Sequence, residues 1–386
     1  MAVLRDRHAS RSFHPIQKDP AIMKPITMIS AILCISLLLN ACGPRSPQDK
    51  LEKAGEKAQT GDIDGAVEDA LEIKKMDLDE QTWAQATMFL GSLYVQRMEI
   101  DAARAQFAEL KKRFGVQNPN PMLEQIGQTA TINIIQSYAQ TNQIEKAMTE
   151  LMETSATLKN GALFSKTLHM VKGDLLAAEG KTDEAVNTVM EMITQESDPT
   201  TILDIMMRAA DYHASKGQEE EAAQVYLDYL HVNPNFELDL DLYVLAGINL
   251  ASIPNPDESI KMKRRNLMEQ ALARFEEELQ GPSSERERLL LGKATALRLL
   301  ERNTEALDLL TSISQTQSFQ PLIRASAMMD IGRHYQGVGQ FGKAREYYQK
   351  LATDYPDFAD RAGYALQMLA RQEAELAIRG SATQPT

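Results

Sequence analysis

Residues 322–356 read LIRASAMMDIGRHYQGVGQFGKAREYYQKLATDYP, and their spacing decides the fold. Gly332 is followed by Tyr335, Gly339, Ala344, Tyr348 and Pro356. Residues 210–234, ADYHASKGQEEEAAQVYLDYLHVNP, place Ala210, His213, Gly217, Ala222, Tyr226 and Pro234 at the same intervals. A pattern recurring about every 35 to 50 residues marks a stack of small supersecondary units, none of which buries its apolar face alone. Such a stack presents a long surface to other proteins.

Further copies appear on either side of these two. Gly91, Tyr94, Ala103 and Phe107 repeat the scheme, with Trp83 just upstream. Gly173, Gly180 and Ala185 do so again, with Val189 in the aromatic slot. Weaker copies centre on Tyr138 with Ala147 and on Leu297 with Ala306, and a partial one surrounds Gly61 and Ala66. The gap between Ala222 and Ala306 accommodates one stretched copy, with Leu245 and Gly247 in its first helix, Pro254 and Pro256 in its loop, and Ala271 and Phe275 in its second helix. Apolar residues recur at three- and four-residue spacing from Lys50 onward, without sustained period-two alternation, so the pattern predicts helices. Pro119, Pro121, Pro199, Pro234, Pro282, Pro321 and Pro356 all fall between predicted helix pairs, where a helix must stop.

This arrangement resembles the tetratricopeptide repeat, a helix-turn-helix unit with small residues where its helices cross. The resemblance covers most of residues 50–358. It implies an all-α, right-handed α-solenoid of about seven to eight hairpins. Residues 359–379 form a capping helix, built on Ala365 to Ile378, that shields the last apolar face, and 380–386 form a loose tail.

At 386 residues the chain is too long for one compact core. Its net charge is -13, and the part beyond residue 41 is more acidic still. Such a body has no global attraction for phosphate backbones, so nucleic acid is not an expected partner. The two cysteines, Cys34 and Cys42, both lie near the N-terminus without metal-ligand spacing.

Met23-Lys24 precedes an apolar run from Ile26 to Leu39, too short for a bilayer span and suited to a secretory signal. Leu39-Asn40-Ala41-Cys42 resembles the lipobox of bacterial lipoproteins. The resemblance implies cleavage before Cys42 and acylation of its thiol, which anchors the chain to a membrane. Asn40 is larger than the residue usual there. Gly43 stands where an aspartate would resemble an inner-membrane retention signal, which points to the outer membrane of a Gram-negative cell. Residues 1–41 are thus an upstream extension plus signal peptide, with Met23 a simple alternative start, and 42–49 are a tether.

Gly337-Val-Gly339-Gln-Phe-Gly342-Lys343 matches glycine-rich nucleotide motifs by letter only. It follows a helix rather than a strand, and Ala344 stands where a magnesium-holding hydroxyl is needed. His169, His213, His231 and His334 form no ligand pair, and Glu219-Glu220-Glu221 reads as a solvated helix face. The sequence nominates no catalytic residue, no metal, no cofactor and no nucleotide site.

In tetratricopeptide arrays one face of each first helix lines a groove. Carried over from the crossing residues, the first inward slot holds Met88, Ile132, Met170, Met207, Leu291 and Met329. The next holds Ser92, Gln136, Asp174, Asp211, Thr295 and Arg333. A methionine row beside polar residues suits adaptable contact with a protein segment. The expected function is a non-enzymatic scaffold on the periplasmic face of the outer membrane, with a protein or peptide partner in the envelope. The resemblance points to outer-membrane protein assembly, pilus or secretin biogenesis, cell-wall enzyme regulation or exopolysaccharide export. Two alternatives are a polysaccharide-binding array of an export system and a regulatory subunit of an envelope enzyme.

Overall fold

The computed structural model describes residues 46–158, 162–234, 236–281 and 283–382. Cys42, the signal segment and the upstream extension lie outside them. Among the described residues every regular element is helical, and the helices pack in consecutive pairs. The chain divides into two compact units that meet at residues 197 and 198.

The first unit holds four hairpins: α1 (Pro47–Gln59) with α2 (Ile63–Lys74), α3 (Glu80–Gln96) with α4 (Ile100–Phe114), α5 (Pro121–Gln140) with α6 (Ile144–Thr157), and α7 (Ala162–Ala178) with α8 (Thr182–Met190). The helix starts earlier than the sequence reading placed it. Ser46 and Asp49 form a reciprocal capping box at 3.1 and 2.8 Å, with Pro47 in the first turn, so the expected tether gives way to helix at Pro47.

The second unit holds four more: α9 (Pro199–Ala214) with α10 (Glu219–Val232), α11 (Asp239–Ser252) with α12 (Glu258–Glu278), α13 (Arg286–Leu299) with α14 (Asn303–Gln315), and α15 (Pro321–Gly337) with α16 (Phe341–Asp354). A closing helix, α17 (Ala359–Ala382), lays Ala362 and Leu369 on α16 and turns Asp360, Gln367 and Arg371 outward. It runs past residue 379, through part of the stretch read as a loose tail.

The small residues of the pattern mark close approaches. A methyl group at Gly332 would stand 2.4 Å from the Tyr348 ring, and one at Gly91 would stand 2.5 Å from the Phe107 ring. Ala103, Ala147, Ala185, Ala222, Ala306 and Ala344 are all buried. At these crossings an aromatic ring lies where the crossing glycine has no side chain to obstruct it. The stretched hairpin places Leu245 and Gly247 in its first helix, Pro254 and Pro256 in its loop, and Ala271 and Phe275 in its second helix. Its α12 is a 21-residue helix, Gly247 faces Met268, and Phe275 lies against Gly292 of the following hairpin. Arg274 pairs with Asp239 and Arg288 with Asp241, tying α11 to both α12 and α13.

Seven of the eight hairpin turns share one hydrogen-bond geometry. A residue with positive φ follows the first helix, and the next amide bonds back to the carbonyl five residues earlier, as Gln340 does to Tyr335 at 2.8 Å. This satisfies helix-end carbonyls that would otherwise have no partner. Gly61, Gly180, Gly217 and Gly339 fill the position without strain, while Met98, Asn142 and Glu301 fill it at φ 61, 56 and 62. Left-handed backbone disfavours residues with a Cβ. Met98 is also 80% exposed, so its side chain gains nothing from burial. Met98→Gly should raise stability by about 0.5–1 kcal/mol, the relieved strain less the extra freedom of glycine in the unfolded chain. An unchanged or lower denaturation midpoint would show that the turn holds no such strain.

Candidate functional site

The hairpin register fixes which side chains the first helices leave uncovered. In the first unit Met88 is only 8% exposed and belongs to the core with Ala103, Phe107 and Ile134. In the second unit Met329 is 1% exposed, packed among Ala325, Ala344 and Tyr348. Both residues were expected in a solvent-facing row, and the structure removes them from it. A flexible thioether fills irregular space beside a crossing glycine better than a branched chain does. Met170 and Met207 are half-buried and keep part of their surface open. Ile132 is also half-buried but leans on the core of the α5–α6 hairpin.

The second inward slot is more open. Ser92, Gln136, Asp174 and Arg333 are half-buried and Asp211 is exposed. The Ser92 hydroxyl donates to the Met88 carbonyl at 3.1 Å. Thr295 is buried and donates to the Leu291 carbonyl at 3.2 Å, so it serves its own helix. The two units differ in the chemistry of these faces. In the second, Arg333 donates to Asp330 at 3.1 Å, and burial pushes the Asp330 carboxyl up while Arg333 and Arg298 pull it down. Burial lowers His334 below its ordinary value, and Arg298 adds to that shift. It also raises the Tyr348 phenol to about 12. This group of side chains is held by internal pairing, and His334 faces Tyr335 edge-on at 5.6 Å.

On α3 and α5 of the first unit the corresponding faces are nearly uncharged. Helix α3 carries one charged residue, Glu80, and α5 carries one, Glu124, both in the first turn. Their partner α4 carries six charges in fifteen residues. Open side chains on these two helices include the amides and hydroxyls Gln85, Ser92, Thr129, Asn133, Gln136 and Gln140, beside the exposed Met122. Asn133 reaches the Met88 sulfur at 3.8 Å, which sets the faces of α3 and α5 side by side.

On the opposite side of the same unit, a cleft of about 600 Å³ lies between α4 and α6 over a floor of Ile134 and Tyr138 from α5. Arg104 stacks on Tyr138 at 4.2 Å and donates to Ser137 and Thr141, and Lys111 spans the cleft to Glu150. Arg104 pairs with Asp101 and Lys111 with Glu150, so the cleft closes the packing of three helices. Among the described residues no group of three His, Cys, Asp or Glu side chains is arranged to hold a metal ion. The sequence reading missed both the cleft and the amide face. The first depends on residues far apart in sequence. The second was visible only as an absence of charge along two helices, a signal that crossing residues do not report.

No protein-family model matches the chain, and no curated protein matches it. Solved structures do match in fold. A tetratricopeptide repeat protein from Parabacteroides merdae is 12% identical, with 85% of this chain and 100% of that chain covered and a TM-score of 0.36. Cut9 in the anaphase-promoting-complex assembly Cut9–Hcn1 is 13% identical, covering 90% and 65%, with a TM-score of 0.39. TTC0263 of Thermus thermophilus, a thermophilic tetratricopeptide protein, is 18% identical, covering 53% and 100%, with a TM-score of 0.33.

Proposed function

We propose that this chain is a non-enzymatic scaffold that holds protein segments on the open faces of its first helices. The observation that carries the reading is the pairing of a closely packed hairpin core with first-helix faces left half-open at Met170, Met207, Gln85 and Gln136. A scaffold needs that combination: the crossings fix the backbone, and the uncovered residues remain for a partner. Acyl groups on Cys42 hold the body to the periplasmic leaflet of the outer membrane, and the partner belongs to an envelope machine. The lipobox-like residues Leu39 to Cys42 support that placement, together with Gly43.

Crosslinking in cells with Met170 and Met207 changed to Glu tests the binding surface. Both side chains keep open surface, so a carboxylate there is tolerated by the fold and repels an apolar partner. Partner capture should fall about tenfold or more while the helical circular-dichroism signal persists. Undiminished capture would place the contact elsewhere. In the same cells Cys42→Ser should move the protein from the membrane fraction to the soluble fraction, and continued membrane retention would remove the anchor.

A further inference from the structure

We propose that the amide face of α3 and α5 recognises the backbone of an extended, uncharged protein segment through hydrogen bonds that ignore the segment's side chains. The proposal rests on the scaffold reading and names the class of partner that this face takes.

A quarter of the chain is charged, yet the 17 residues of α3 and the 20 of α5 hold two charged residues between them. Crowding by neighbouring hairpins does not account for this. The same slot holds Asp174 on α7, Asp211 on α9 and Arg333 on α15, with Thr295 buried on α13, and α12 carries ten charges in twenty-one residues.

The open positions form one surface. Thr129, Asn133, Gln136 and Gln140 follow each other at four-, three- and four-residue steps, which places them on one side of α5. Gln85 and Ser92 lie seven apart on α3 and share a face in the same way. The contact of Asn133 with Met88 joins the two helices edge to edge. The side chains of Gln85, Thr129, Gln136 and Gln140 bond to no other described residue. Elsewhere in the unit amides are used internally: Gln48 donates to Thr82, and Gln128 to the Val116 carbonyl.

A side-chain amide offers two donors and an acceptor, the same groups that a peptide bond presents. Neighbouring helix axes lie about 10 Å apart, the rise of about three residues of extended chain. A segment crossing from α3 to α5 therefore meets a fresh amide about every third residue, and its own N–H and C=O groups find partners at each. Main-chain pairing of this kind gives affinity independent of sequence. Charged side chains are disfavoured, because the face offers no counter-charge for a desolvated ion.

A neutral glycan is the other ligand that hydrogen bonds alone could hold. Sugar rings need open aromatic faces, and the rings here are covered. Trp83 lies under Arg113 at 4.4 Å and Lys74 at 5.5 Å, and Tyr138 under Arg104 at 4.2 Å and Lys146 at 5.9 Å. The face lacks a stacking platform, which favours the peptide.

The test uses the full chain carrying Cys42→Ser and a library of acetylated, amidated random peptides, with retained peptides identified by mass spectrometry. Peptides poor in Asp, Glu, Lys and Arg should be retained, and retention should survive about 0.5 M salt, where surface charge pairs are screened. Asn133→Leu with Gln136→Leu, which removes both amides without lowering helix propensity, should weaken retention about tenfold, as should N-methylation of the selected peptides. Enrichment of charged peptides that elute in salt, or retention by the double variant, would overturn the proposal. So would retention of neutral dextran oligosaccharides in place of peptides. Peptides held equally by the double variant but lost with Met170→Glu and Met207→Glu would sink this inference and leave the scaffold reading standing. Retention of no peptide at all would sink both.

Discussion

Gly127→Val should unfold the junction of α4 and α5, lowering the stability of the first unit by about 3 kcal/mol or more. A Cβ at Gly127 would stand 1.6 Å from the Gly115 carbonyl oxygen and 2.8 Å from its carbon. This is backbone against backbone, so no rotamer change relieves it. Gly115 cannot retreat either. It sits at φ 65 and ψ -167, a conformation that essentially only glycine adopts, and its amide bonds to Lys111 at 2.8 Å. Asn118 holds the Phe114 carbonyl at 3.3 Å, and Gln128 holds that of Val116 at 3.2 Å, so the loop is fixed on both sides of the contact. Even Gly127→Ala meets the same oxygen. Trp83 is the only tryptophan and packs edge-on against Phe114 at 6.1 Å, so its emission during urea unfolding reads this junction directly. Gly55→Ala is the matched control. That glycine lies inside α1 with nothing within 4 Å of the added methyl, and the change should stabilise by about 0.5–1 kcal/mol. A Gly127→Val midpoint within about 0.5 kcal/mol of the parent would refute the contact.

That pair of glycines shows where the sequence stopped being informative. Gly332, Gly91 and Ala344 could be read because they recur at a fixed interval, and each marks a helix crossing in the structure. Gly115 and Gly127 occur once, at a link between hairpins, and repetition does not expose them. The turns divide the same way. Gly217 and Gly339 announced left-handed backbone, whereas Met98 and Glu301 adopt it because the hairpin geometry and its carbonyl bond prevail over local preference. Among the candidate site residues, Met88 and Met329 had the right helix and the wrong depth. A helical register gives the angular position of a side chain, but the adjacent crossing glycine decides whether a thioether folds inward. The amide face escaped notice for the opposite reason. Ser92 and Gln136 were read as inward positions one by one, and their shared neutrality becomes visible only when two helices are seen side by side.

Ala344→Trp should cost the second unit about 3 kcal/mol or more, by overfilling a fully buried helix crossing. Ala344 and Tyr348 are both 0% exposed, one helical turn apart, and share a cluster with Met329, Leu351 and Phe358. The Tyr348 ring already occupies the space that Gly332 vacates, and its hydroxyl donates to Gln336 at 2.9 Å, which anchors the ring at its far end. An indole at 344 has no empty volume to enter, and close-packed interiors yield only by shifting backbone or breaking rotamers. Glu346→Trp, two residues on and exposed, adds the same side chain outside the core and should change stability by less than about 0.5 kcal/mol. The mechanism makes a stronger demand on a double variant. Tyr348→Ala alone should cost about 3–5 kcal/mol through the cavity it leaves. If the indole and the phenol compete for one space, Ala344→Trp combined with Tyr348→Ala should be more stable than the two losses added, by about 1–3 kcal/mol. Strict additivity in urea unfolding followed by circular dichroism would mean that the two side chains occupy separate volumes, and the crossing geometry derived from Gly332 would fail with it.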